Sequence, residues 1–89
     1  MPVVSIFNGL IVYMYFLDTK QHKQPHIHVK YAEHEAVFSI PEGDLLEGSI
    51  PKAKTKLIVA WIELRKEDLM ANWALAVKGE PIYQLEPLK

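Results

Sequence analysis

Short apolar runs flank Asn8 and Gly9 near the start of the chain, and this pattern predicts a β-hairpin. Asn-Gly is the strongest short hairpin signal, because a type I′ turn needs positive φ at both central residues. The turn sets three cross-strand pairs: Phe7 with Leu10, Ser5 with Val12, and Val3 with Met14. The opposite face collects the other side chains of both strands: Val4, Ile6, Ile11, Tyr13, Tyr15 and Leu17.

Both faces of this hairpin are largely apolar. An antiparallel sheet with one solvent-exposed face would instead alternate apolar and polar residues. We therefore expect a cover on each side of the sheet, with helices on one side and a second subunit or another partner on the other. Tyr13 and Tyr15 share the second face and are candidate interface residues, which favours a homodimer. The simpler alternative is that both tyrosines only cover an amphipathic sheet.

Two further strands follow a polar segment, residues 18–25, that predicts a loop. The third strand is expected at His26–Ala32. Its alternation places two sets of side chains on opposite faces: Ile27, Val29 and Tyr31 on one, and His26, His28 and Lys30 on the other. A fourth strand is expected at Glu35–Ile40, so residues 1–40 are predicted to form a four-stranded antiparallel meander.

The second half of the chain, residues 49–78, has apolar residues at helical spacing. One unbroken helix would be long for so small a domain. We therefore expect two helices with a break near Arg65-Lys66, where a basic pair suits a helix end, and Gly79 after the second. The tail, residues 80–89, has apolar residues between prolines and suits a short edge strand. The prediction is a single α+β domain over residues 1–89, with both helices on one face of the sheet.

Composition supports a small folded domain and narrows its partners. The 89 residues are 49% hydrophobic and contain no cysteine, so neither disulfides nor a thiolate zinc site contributes. A formal net charge of −1 disfavours a general nucleic-acid binder, which usually has a basic excess. The apolar run Leu10–Leu17 is far shorter than the roughly 20 residues of a membrane-spanning helix. Because the first residues also lack the basic region of a signal peptide, we expect a cytoplasmic protein without membrane contact.

The feature that carries chemistry is the run Pro25-His26-Ile27-His28-Val29. Two imidazoles two positions apart on a strand share a face, and imidazole serves as acid, base, metal ligand or phosphate donor. As an acid–base pair acting on RNA, one neutral imidazole takes a 2′-hydroxyl proton while the other, protonated, donates to the leaving oxygen. Lys30 on the same face, or Lys20 and Lys23 in the preceding loop, then stabilises phosphate charge.

Two further roles for the histidine pair stay open. His26 and His28 can be two ligands of a divalent metal, although no cofactor is otherwise expected. A third ligand is then needed, and the nearby candidates stand at no defining spacing: Asp18, Glu33, His34 and Glu35. Alternatively, histidines beside a proline at a strand start hydrogen-bond loop backbone or line a partner interface, with no catalytic role.

Several stretches give the chain a resemblance to a known family. They are Met1-Pro2-Val3-Val4, Pro25-His26-Ile27-His28-Val29, Ala60-Trp61-Ile62-Glu63-Leu64, Glu67-Asp68-Leu69-Met70-Ala71-Asn72-Trp73 and Ile82-Tyr83-Gln84-Leu85-Glu86-Pro87-Leu88. Over essentially its whole length the chain resembles the small bacterial proteins grouped as domain of unknown function 4160. The common form of the histidine motif has two prolines, whereas Gln24 precedes Pro25 here.

The resemblance implies a toxin-like component of a type II toxin–antitoxin module, because such proteins are typically encoded beside a second small domain. It therefore implies a cognate small protein, encoded nearby, that masks the toxin. The leading hypothesis is a toxin-like ribonuclease that uses His26, His28 and Lys30. The alternatives are a non-catalytic interaction module that uses Tyr13 and Tyr15, and a small metal-binding protein.

Overall fold

The computed structural model of the chain describes residues 3–15 and 24–88. In this part of the chain, five antiparallel strands form one sheet in chain order, and a helix follows them. The elements are β1 (Val3–Phe7), β2 (Leu10–Tyr13), β3 (His26–Tyr31), β4 (His34–Ser39), β5 (Leu45–Ser49) and α1 (Lys52–Ala76). The predicted α+β class with an antiparallel sheet is confirmed. Leu17 and most of the predicted loop lie outside the described residues.

The first hairpin forms as its turn predicts, with φ of 51° at Asn8 and 78° at Gly9. Two of the predicted pairs are confirmed: Phe7 with Leu10, and Ser5 with Val12. The third is wrong, because a β-bulge after Val3 shifts the register and pairs Val3 with Tyr13. The bulge also places Val4 in the core, where it is fully buried, and not on the opposite face.

The prediction of four strands is wrong, because β5 adds a fifth strand beside β4. The sequence did not predict this strand, because it contains Gly48, and glycine is depleted in strands and weakens them. In the structure Gly48 has φ of 72°, and a Cβ at this position would collide with the main-chain carbonyl of Glu35 on β4. The glycine therefore permits the close approach of the two strands.

The prediction of two helices is also wrong, because α1 is one helix with a kink at the expected break. Arg65 has non-helical angles, φ −114° and ψ 16°, and the helix resumes after it. Residues 52–78 contain neither glycine nor proline, so nothing in the sequence stops the helix after one distorted residue. Gly79, with φ of 73°, follows the end of α1 as predicted.

The helix packs on one face of the sheet, as predicted. The Trp61 side chain is fully buried, and its ring centroid lies 5.5 Å from that of Phe7. The buried cluster joins this helix to alternate residues of the strands: Leu10, Val12, Ile27, Val29, Ala36, Phe38, Ile58, Trp61, Ile62 and Leu69. The tail, residues 80–88, is not assigned as a strand, although the Leu85 amide donates to the Val4 carbonyl at 2.8 Å. Within the described residues, no helix has the length and apolar character needed to span a membrane.

Candidate functional site

His28 and Lys30 lie on the face of the sheet opposite α1, which we call the outer face. His26, at the start of the same strand, is buried and contacts Trp73 of α1. The register pairs His28 with Val37 on β4 and with Tyr13 on β2, and it pairs Lys30 with Glu35. The neighbouring residues Ile27 and Val29 belong to the core on the other side. Strand alternation therefore directs the side chains of His28 and Lys30 away from the core, as expected, whereas His26 is buried against Trp73.

Five rings form one continuous row that begins on the outer face, and we call it the aromatic row: Tyr13, Tyr15, His28, His26 and Trp73. The rings of Tyr13 and Tyr15 are stacked at 6.2 Å between centroids, with 3° between their planes. The edge-on contact of Tyr15 with His28 follows at 4.4 Å, and that of His28 with His26 at 5.2 Å. The His26 ring lies 5.0 Å from the Trp73 ring. The predicted interface residues Tyr13 and Tyr15 are thus continuous with His28 on the outer face and, through it, with the buried His26.

Trp73 is the member of the row that the sequence did not reveal. Its side chain is 9% exposed and belongs to the core cluster. A contact between Trp73 and His26 depends on the path of α1 after its kink at Arg65, which no local sequence pattern determines. Only the folded chain brings these two rings together.

His26 is a buried structural residue at the strand start. Its side chain is 1% exposed, and its Nδ1 lies 2.9 Å from the main-chain carbonyl oxygen of Gln24. A carbonyl oxygen only accepts, so the Nδ1–H donates this hydrogen bond. The expectation that a histidine here bonds loop backbone is confirmed for His26. The contact holds the imidazole between Trp73 and His28.

The remaining residues of the predicted catalytic set are more accessible than His26. His28 is half-buried and Lys30 is exposed, on the same strand and the same face. A two-imidazole acid–base mechanism needs both rings to reach one substrate. The burial of His26 does not favour that arrangement, and His28 with Lys30 is the pair that the outer face presents.

The described residues do not bring a third ligand to the histidine pair. No group of three histidine, cysteine, aspartate or glutamate side chains suitable for a metal ion lies within residues 3–15 and 24–88. Glu33 and His34 lie at the far end of β3 and β4, where His34 Nε2 is 3.9 Å from Glu33 Oε1. Glu35 lies opposite Lys30, and Asp18 lies outside the described residues.

The outer face changes character across the sheet. On the β1–β2 side it is apolar, with Ile11 and Tyr13 half-buried and Ile6 61% exposed. On the β4–β5 side it carries the exposed carboxylates of Glu35 and Glu47. The outer face thus has an apolar half and a half that carries exposed carboxylates, with aromatic rings between them.

Residues 9–74 match the family described as Domain of unknown function (DUF4160), and the chain belongs to this family. The match includes all five residues of the aromatic row, whereas β1 and the tail lie outside it. No curated protein and no solved structure matches the chain. The resemblance deduced from the sequence is thus confirmed at the level of the family, and its toxin–antitoxin role stays a prediction.

Proposed function

We propose that the chain is a non-catalytic protein-interaction module whose binding surface is the outer face around Tyr13, Tyr15 and His28. The observation that carries this proposal is the aromatic row. Aromatic rings are enriched among the residues that contribute most to protein–protein affinity. A row that spans three separate parts of the chain is a preformed surface, since each ring restricts its neighbour.

The buried end of the row supports the same role. The His26 ring lies between those of Trp73 and His28, and it is hydrogen-bonded to the Gln24 carbonyl. Because His28 packs on this fixed ring and Tyr15 packs on His28, both side chains have little conformational freedom to lose on binding. Binding by an ordered surface avoids the entropic cost of immobilising side chains in the complex. His26 thereby acts as a positioning residue for the more accessible rings.

The partner we propose is the cognate small protein encoded beside this chain, as the family resemblance implies. In that module the chain is the toxin-like component and its outer face is the surface that the second protein masks. A partner suited to this face offers apolar side chains to the Tyr13 region and basic groups to Glu35 and Glu47.

Binding of the neighbouring gene product to defined variants tests the proposal. Tyr13→Asp places a charge in the apolar half of the face, and we expect affinity to fall by about 30-fold or more, the loss typical of an interface anchor. Leu64→Asp is the matched control, because Leu64 is 64% exposed on α1. Titration calorimetry should show unchanged affinity for the control. Equal affinities for wild type and Tyr13→Asp would contradict the proposal.

A second candidate function is a ribonuclease that uses His28 as its acid–base group and Lys30 to neutralise phosphate. The presence of both side chains on one accessible face favours it. Induced expression in a bacterial host, with growth and total RNA followed together, separates the two functions. Growth arrest with RNA loss that disappears in His28→Ala supports the ribonuclease. Growth arrest with intact RNA would indicate a toxin with another target, and no arrest with folded protein present would favour the interaction module.

A further inference from the structure

The C-terminal tail, residues 80–88, is hydrogen-bonded to α1 through its own main chain. The Asn72 side chain meets both main-chain groups of Tyr83: its Nδ2 donates to the Tyr83 carbonyl (2.7 Å), and its Oδ1 accepts from the Tyr83 amide (3.1 Å). The Glu86 carbonyl accepts from Trp61 Nε1 (2.8 Å) and from Arg65 Nε (3.3 Å). Asn72 is 1% exposed and Trp61 is fully buried, so core packing fixes both of these side chains.

These hydrogen bonds join the two halves of α1 across its kink. Trp61 lies before the kink, Arg65 is the kinked residue, and Asn72 lies after it. Arg65 and Asn72 are seven residues apart, which corresponds to two helical turns and about 10 Å along the helix axis. Tyr83 and Glu86 are three residues apart, and three residues of extended chain reach at most about 10–11 Å. The tail between these two residues therefore bridges the kink with little slack.

The local sequence of α1 does not account for the kink. Kinks in helices arise at proline, at glycine or serine, at π-bulges, or where another group enters the hydrogen-bond ladder. Residues 52–78 contain no proline, glycine or serine. The tail, by contrast, is bonded to Arg65 itself and to a residue on each side of it. This coincidence indicates that docking of the tail sets the kink.

The kink in turn determines where Trp73 lies. Trp73 directly follows Asn72, so the residue that holds the tail and the residue that packs on His26 are neighbours on the second half of α1. The ring contacts of the aromatic row continue from His26 through His28 to Tyr15. A change in the kink therefore displaces the buried end of a continuous set of packed rings.

We propose that the tail is a strap that sets the kink of α1 and thereby couples its own docking to the binding surface on the outer face. Release of the strap lets Arg65 return to helical geometry, withdraws Trp73 from His26 and loosens the aromatic row. The effect on partner binding rests on the function proposed above, whereas the effect on the row does not. Because coupling between two sites is reciprocal, a bound partner also strengthens docking of the tail.

Tyr83→Pro and Tyr83→Ala form a matched pair of variants, because the Tyr83 side chain is 72% exposed. Proline has no amide hydrogen, and its ring carbon would meet Asn72 Oδ1, so this part of the tail must move away from α1. Alanine removes the same side chain and keeps the amide. A chain shortened to residues 1–79 releases the strap completely. Circular dichroism checks the folding of each variant.

NMR of the labelled chain without a partner gives the first readout. In Tyr83→Pro, and in the shortened chain where it folds, we expect the Arg65 backbone shifts to move to helical values. We also expect the His26 ring signals to lose the ring-current shift that Trp73 causes. Tyr83→Ala should match wild type in both respects. Arg65 and His26 signals that stay unchanged in Tyr83→Pro overturn the proposal, whether or not the shortened chain folds.

Affinity for the neighbouring gene product gives the second readout. We expect Tyr83→Pro to weaken binding by about 5-fold or more, the lower end of typical coupling between sites, and Tyr83→Ala to leave it unchanged. The Leu85 amide donates to the Val4 carbonyl at 2.8 Å and reports on docking of the tail. A saturating partner should slow hydrogen exchange of this amide by the same factor.

The two readouts separate failure of the strap from failure of the proposed function. Equal affinities for Tyr83→Pro and wild type, with binding observed, overturn the coupling and leave the proposed function standing. Changed Arg65 and His26 signals in Tyr83→Pro, together with no partner binding by wild type, support the strap and contradict the proposed function.

Discussion

We expect His26→Ala to lower the free energy of unfolding more than His28→Ala does. The two histidines belong to one motif, yet His26 is 1% exposed and His28 is half-buried. If both served one catalytic function at the surface, their contributions to stability would be similar and small. The structure instead assigns to His26 a role in the packing of the strand start against Trp73.

The expected loss for His26→Ala follows from its contacts. The hydrogen bond to the Gln24 carbonyl contributes about 1 kcal/mol, and the ring contacts with Trp73 and His28 contribute about 1 kcal/mol each. The total of about 3 kcal/mol lies at the low end of what truncation of a buried aromatic ring costs. In a domain of this size, such a loss lowers Tm by about 12–24 °C.

Urea unfolding followed by circular dichroism measures both variants. We expect His28→Ala to lose about 1–2 kcal/mol, because it loses the ring contacts with Tyr15 and His26 while its half-buried ring already meets solvent. An unchanged m-value would show that the variants differ in stability and not in the extent of unfolding. Equal losses for the two variants, or a loss below about 1 kcal/mol for His26→Ala, would refute the structural role of His26.

Three other substitutions test particular features of the fold. Gly48→Ala should destabilise the protein by about 2 kcal/mol or more, since the added Cβ meets the Glu35 carbonyl at a positive φ; a smaller loss in thermal unfolding would show that β5 shifts freely. Ala32→Gly should raise stability by up to about 1 kcal/mol, because Ala32 has φ of 51°; a lower Tm would contradict this. A hydrogen bond to Glu63, with its nearby charge, raises the pKa of Lys66 above its ordinary value of 10.5. The Lys66–Glu63 interaction therefore stabilises the protein fully below pH 10.5, and this stabilisation is lost as pH rises through the raised pKa of Lys66. The difference in unfolding free energy between wild type and Glu63→Gln should then shrink above pH 10.5, and growth of this difference would contradict the argument.

The sequence predicted the parts of the fold that depend on local signals. Asn8-Gly9 determined the first turn, and alternation in the third strand determined which face carries His26 and His28. The kink at Arg65 was located, but its extent was not, because Arg and Lys are good helix formers and do not end a helix by themselves. The bulge that buries Val4 has no sequence signal here, since β-branched residues fit either register.

The candidate site could be predicted only in pieces. Spacing placed Tyr13 with Tyr15 and His26 with His28, but the contact between these two pairs depends on how β2 pairs with β3. The burial of His26 depends on Trp73, which lies 47 positions away in the chain. Long-range packing of this kind is absent from local periodicity, and it is the observation from which we propose an interaction surface at this motif.

The most direct test of the interaction surface is a map of partner binding by NMR. The ring signals of Tyr13, Tyr15 and His28 are followed while the neighbouring gene product is added to the labelled full-length chain. We expect these three residues to show the largest shifts, with the buried His26 changing less. Shifts confined to the exposed side of α1 or to the tail would contradict the assignment of the outer face as the binding surface.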